Sequence, residues 1–310
     1  MCKNTFERSL GLLGFLVMGA IAFAVGLTSG TGCRTTPSEE TSTNAAVEVS
    51  SPAQARTSLV NCVVIGMEKS RRFGTCAGCA LDADRMYSLL TKTYGYPTSL
   101  RKSEQATKET VTRLIKSGVE KTPPGGLFIF YYSGHGGQEV LSGWNTTEPE
   151  GADEADEYLC LEDTYLLDDE IWELMSPCKG RVFMIFDCCH SKTMFRSVRP
   201  EYAAQNGLAV TLATVPEVPS SPGFRLKPRA AVLGNAALSF CCWSGCQEVE
   251  YSYGSSLGGV MTTGLITSWD AADTYASLWT KICAHVKKNQ PNQHPACTIV
   301  GSGWDTQVFK

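Results

Sequence analysis

The chain has 310 residues, 43% hydrophobic and 19% charged, which is enough for one large domain with its own core. Its net charge of −4, with no basic stripe and no run of five like charges, leaves no footprint for nucleic acid. The fourteen cysteines do not form a disulfide framework, since Cys188-Cys189 and Cys241-Cys242 are adjacent pairs inside apolar, strand-like runs. Cys76-Ala77-Gly78-Cys79 has the spacing of a metal or redox motif, but no second CxxC or HxxxH completes a zinc site.

Lys3 and Arg8 precede residues 10–27, an apolar run without a charge. As a helix that run is roughly 27 Å long, just enough to span a bilayer. This is the pattern of a membrane anchor or export signal. Cys33 follows Gly32 and opens a polar stretch rich in Thr, Ser, Pro and Glu. That arrangement resembles a bacterial lipoprotein signal, with Gly30 where Leu is usual. The expected organisation is a signal or anchor over 1–33, a flexible linker over 34–55 and one folded domain over 56–310, membrane-anchored or exported.

Beyond the linker, strands and helices alternate. Residues 60–67 (VNCVVIGM) read as a buried strand. Met86, Leu89 and Leu90 predict a helix over 82–94; Val111, Leu114 and Ile115 predict another over 107–119. Pro123-Pro124-Gly125-Gly126 breaks the chain before a strand at 127–132 (LFIFYY). A short helix at 168–175, strands at 181–186 (RVFMIF) and 238–243 (LSFCCW), and helices at 258–269 and 274–288 follow. The pattern predicts an α/β fold whose mainly parallel central sheet is covered by helices on both faces.

Ligands of open parallel sheets bind at the carboxyl ends of the strands. Two ends stand out. LFIFYY runs into Ser133-Gly134-His135-Gly136-Gly137, and RVFMIF into Asp187-Cys188-Cys189-His190-Ser191. A thiol becomes a good nucleophile beside a base, and imidazole is such a base. The glycines around His135 permit a tight turn and a close backbone approach to substrate.

SGHG (133–136) and DCCHS (187–191) match the histidine and cysteine motifs of metacaspases, except that Lys192 replaces the final Gly of the second. From about residue 60 to 267 the chain thus resembles a metacaspase, a caspase-like cysteine peptidase. Caspases likewise place the His roughly 50 residues upstream of the Cys. The resemblance implies a caspase-like fold with Cys189 as nucleophile and His135 as general base. Cys188 then packs away from the site and His190 supports it. The oxyanion donors implied are the N–H groups of Gly136 and Cys189.

The segment 78–86 (GCALDADRM) is similar to a family stretch that carries an acidic pocket residue. Asp82 and Asp187, with Ser133, Ser244 and Tyr253 as further contacts, are thereby implied to hold the Arg or Lys of a polypeptide substrate. Asp84 is the rival carboxylate on the same turn. No cofactor is implied for the chemistry. Asp156, Asp168 and Asp169 resemble acids that bind Ca2+ as an activator in some members; Arg196, standing where such members carry another acid, counts against it. The segment 197–231 offers Arg225, Lys227 and Arg229 for self-cleavage. Three other readings compete: a catalytically silent, membrane-tethered scaffold of this fold, a cysteine hydrolase of different specificity, and a redox or metal protein built on Cys76, Cys79, Cys241 and Cys242.

Overall fold

The computed structural model describes residues 59–140, 155–189, 210–211, 238–247 and 250–310, of which 138–140, 155–156 and 210–211 by backbone alone. In chain order the elements begin with β1 (Val60–Gly66), β2 (Lys69–Ser70), β3 (Gly74–Thr75), α1 (Cys79–Ser88), β4 (Thr98–Lys102) and α2 (Lys108–Lys121). Next come β5 (Leu127–Ser133), β6 (Gly136–Val140), β7 (Ala155–Cys160), β8 (Tyr165–Leu167), α3 (Asp168–Met175), β9 (Arg181–Asp187), β10 (Val210–Thr211) and β11 (Phe240–Ser244). The last are β12 (Gly254–Ser255), β13 (Gly258–Gly259), α4 (Val260–Ser268), α5 (Tyr275–Asn289) and β14 (Ala296–Val300).

The central sheet has the order β10-β14-β11-β9-β5-β1-β4. β4, β1, β5, β9 and β11 run parallel; β14 joins β11 antiparallel, and β10 joins β14. The expected α/β architecture is therefore the one found, with an antiparallel edge added. The charged strand β4 (TSLRK) also went unread in the sequence, as edge strands often carry charge instead of an apolar run. A second, antiparallel sheet, β6-β7-β8, follows β5. The first predicted helix starts earlier, at Cys79, and its last turn widens to a π turn over Leu89–Thr93.

The strands alternate strictly between two cores, as a period of two requires. Phe128, Phe130 and Tyr132 of β5 join Val182, Met184 and Phe186 of β9 on the face covered by α2 and α3. Ile129 and Tyr131 join Phe183 and Ile185 on the face covered by α1, α4 and α5. Each such fully buried side chain stabilises the fold by about 1.5–3 kcal/mol. α2 packs because Val111, Leu114, Ile115 and Val119 recur at helical spacing. The Thr107 hydroxyl caps it by accepting the Thr110 N–H at 3.3 Å. α5 does likewise with Tyr275, Leu278, Trp279, Ile282 and Val286 behind a Thr274–Ser277 capping box.

Candidate active site

β5 and β9 pair in parallel down to their last rung, Ser133 against Asp187. The Gly134 N–H donates to the Asp187 carbonyl at 3.4 Å. His135 and Cys189 each lie two residues past that rung, beyond strands that pair about 4.8 Å apart. A side chain at Gly136 would overlap the Cys189 carbonyl oxygen, so glycine there lets the histidine turn close onto the cysteine turn.

His135 is held from three directions. Its carbonyl accepts the Cys160 N–H at 3.0 Å, and the Tyr132 hydroxyl lies 2.7 Å from both the His135 and Cys160 carbonyls. Its ring Nε2 is 3.1 Å from the Thr75 carbonyl. A carbonyl only accepts, so Nε2 is the donor in this contact, and Nδ1 is the ring nitrogen left for base chemistry. The bonded pair His135–Cys160 also sets the phase of the β6–β7 ladder. Gly136, opposite Leu159, is therefore a non-bonded position, and its N–H points off the ladder.

Cys189 is half-buried, with Sγ 4.0 Å from the Ser252 carbonyl. Burial, and after it the negative charge of Cys76 and Asp187, push its thiol above the usual range. At neutral pH it is thus a protonated thiol that needs a base to attack. Cys188 is buried in the core on the α2–α3 side, and its carbonyl accepts the Cys246 thiol at 3.3 Å.

On the opposite face two carboxylates meet. Asp187 accepts the Ser252 hydroxyl at 2.5 Å, the Thr262 N–H at 2.8 Å and the Thr262 hydroxyl at 2.7 Å. It thereby caps the amino end of α4 from outside the helix. Asp82, fully buried, accepts the Ser133 hydroxyl at 3.0 Å and the Gly259 N–H at 2.8 Å. Among the described residues its other oxygen, Oδ1, takes no hydrogen bond, and the Arg85 guanidinium stands 3.9 Å away. A side chain at Gly259 would overlap the Asp187 carboxylate, and Gly258 has φ +106°, so this glycine pair lets the backbone slip between the acids. Burial raises both carboxyls; that of Asp82, with Asp187 adding repulsion, rises to about 7.

The model of the Caspase domain family matches residues 60–301. The chain belongs to the caspase-domain family. Its similarity to curated metacaspases is moderate. Metacaspase-1A of Aspergillus oryzae is 30% identical over 143 residues, 42% of this chain and 33% of that one. Metacaspase-1 of Ajellomyces capsulatus is 27% identical over 257 residues, 78% and 62% respectively. The chain thus spans less than two thirds of these relatives' length. Two solved structures share the fold. A Geobacter sulfurreducens protein has a TM-score of 0.59 at 23% identity, covering 81% of this chain and 98% of that one. Caspase-1 of Spodoptera frugiperda has a TM-score of 0.50 at 14% identity, covering 82% and 93%.

Within this caspase domain Asp82, Asp187 and Ser133 come together, whereas Ser244 does not join them. It ends β11 in phase with Phe240 and Cys242, on the α2–α3 face, and its Oγ is 3.7 Å from Cys242 Sγ. Tyr253 is exposed beside the site, its N–H on Gln293 Oε1 at 3.0 Å. Asp84 pairs with Lys102 at 2.8 Å, away from the two buried acids. Thr75, Ser252, Thr262 and the Gly258-Gly259 pair were missed by sequence reasoning. Only the double glycine before an apolar helix offered a signal.

Asp168 and Asp169 open α3, where acids favour the helix amino end. Among the described residues no three His, Cys, Asp or Glu gather as a metal site. The Asp156 side chain lies outside the described residues. His190, Lys192, Arg196, Arg225, Lys227, Arg229 and the segment 10–27 also lie outside them. No described helix is long and apolar enough to cross a membrane. Every described cysteine is a free thiol.

The raised Asp82 carboxyl has a consequence for stability. Below pH ~4 it is protonated in both the folded and unfolded states. Between pH ~4 and about 7 the unfolded chain has lost a proton that the folded one keeps. Rising pH therefore lowers stability across this window, by up to a few kcal/mol, and the loss levels off above it. Asp82→Asn is expected to flatten the difference in chemical-denaturation midpoint between pH 4 and 8. Parallel profiles for variant and wild type would refute the assignment.

Proposed function

We propose that the chain is a cysteine endopeptidase that cuts polypeptides after Arg or Lys with a Cys189–His135 dyad. His135 Nδ1 takes the Cys189 proton, the thiolate attacks the scissile carbonyl, and the Gly136 and Cys189 N–H groups hold the oxyanion. His135 returns the proton to the leaving amine, and water then cleaves the thioester. The observation that carries the specificity is the buried Asp82–Asp187 pair beside the dyad, with Asp82 Oδ1 lacking a hydrogen-bond donor among the described residues. A buried carboxylate oxygen without a donor is costly and favours a cation, which the P1 side chain supplies. Arg85 of the chain itself leans on that oxygen and gives way to the substrate.

The same proposal has the domain tethered at a membrane or exported through residues 1–33, and the segment 197–231 cut after Arg225, Lys227 or Arg229. No step is routed through calcium; a millimolar calcium arm of the assay reads any stimulation. Fluorogenic peptides ending in Arg, Lys, Asp or Leu test the specificity. The expected result is turnover of Arg and Lys peptides favoured by about 10²-fold or more over Asp and Leu. Equal turnover of all four would overturn the basic pocket; none at all would leave a silent scaffold.

A further inference from the structure

The CxxC turn is absorbed neither by the dyad nor by a metal. Cys76 follows Thr75, whose carbonyl orients His135, and Cys79 begins α1, one turn before Asp82. The Cys79 N–H reaches the Cys76 carbonyl at 3.4 Å, and Gly78 takes φ +92° to close the turn. The two sulfurs are 3.0 Å apart, against about 2.05 Å in a disulfide, so closure needs a movement of only about 1 Å. Cys76 is partly exposed and Cys79 buried, which makes Cys76 the sulfur an oxidant meets first.

We propose that Cys76 and Cys79 form a reversible dithiol–disulfide site, closed by hydrogen peroxide, that sits against the catalytic histidine. The Cys76 thiolate attacks one peroxide oxygen, the O–O bond breaks, and hydroxide leaves as water after taking a proton. The Cys79 thiol then displaces water from the Cys76 sulfenic acid, forming the S–S bond. Two thiols lose two electrons and peroxide gains them. The Cys79 thiol helps to hold the Cys76 thiolate and brings it below the usual range, the division of labour expected of a CxxC attacking pair. Closure tightens the turn that carries the Thr75 carbonyl, and so disturbs His135. That last link alone rests on the proposed dyad.

The test reads the thiols themselves and so stands apart from peptidase activity. Trypsin releases peptide 73–85, which contains Cys76 and Cys79 and no other cysteine. The full chain, as wild type and as Cys189→Ala, is treated with hydrogen peroxide, blocked with iodoacetamide and digested. In both, the peptide is expected unalkylated and lighter by two hydrogen atoms, with full alkylation restored by dithiothreitol. In Cys79→Ser, Cys76 is expected to pass to sulfenic or higher acids instead. Alkylation at both cysteines after peroxide, or a cross-link from this peptide to Cys189 or Cys160, would overturn the site. Closure without any change in kcat for an Arg peptide would overturn its link to His135.

Discussion

Cys189→Ala abolishes hydrolysis of an Arg-ended peptide, by about 10³-fold or more, and leaves the Tm near that of wild type. Cys189 is half-buried just past the end of a strand, and among the described residues its sulfur makes a long contact, 4.0 Å to the Ser252 carbonyl. Its removal takes away the nucleophile and little packing. The neighbouring residue shows the reverse. Cys188 is 1% exposed in the α2–α3 core, so Cys188→Ala is expected to cost about 1 kcal/mol or more in stability. Turnover per folded molecule should survive that change. Initial rates normalised to active-site titre, beside thermal melts, separate the two; residual turnover above a few per cent in Cys189→Ala would assign the chemistry elsewhere.

Asp187→Asn lowers kcat/KM for Arg peptides by about 10²-fold or more, and leaves any turnover of Leu peptides at its wild-type level. The amide keeps one acceptor oxygen and the shape of the carboxylate but loses its charge. Asp187→Ala goes further. It strands the buried Thr262 N–H, worth about 1–3 kcal/mol when unmet, and takes an acceptor from the Thr262 and Ser252 hydroxyls. Urea midpoints should therefore fall sharply for Ala and little for Asn. An Asn variant that still prefers Arg by the wild-type ratio would mean that Asp187 only caps α4.

The proposed dyad could be read because each of its residues lies just past an apolar run, and a buried strand that runs into Gly-His-Gly or Asp-Cys-Cys needs a chemical reason. The layers were legible from the alternation of such runs with amphipathic helices. The face taken by Ser244 was not, because its direction depends on the phase of β11, and the FCCW run before it is apolar at every position. Ser252 and Thr262 were hidden for another reason. They meet Asp187 across 65 and 75 residues, and nothing local marks a hydroxyl for a distant partner. The contribution of Thr75 is a backbone oxygen, which leaves no trace in side-chain chemistry at all.

The last rung of the β5–β9 pairing also makes activity a clock for folding. His135 and Cys189 belong to separate strands joined in parallel, with β6, β7, β8 and α3 between them in the chain. Such non-local pairing forms slowly compared with a helix or a hairpin. A slip of one residue in either strand would turn one partner to the other face. During refolding, α2 and α5 can therefore be complete while the chain is still inert. On the proposed dyad, a newly made molecule is silent until its sheet has closed in register, a delay that requires no inhibitor.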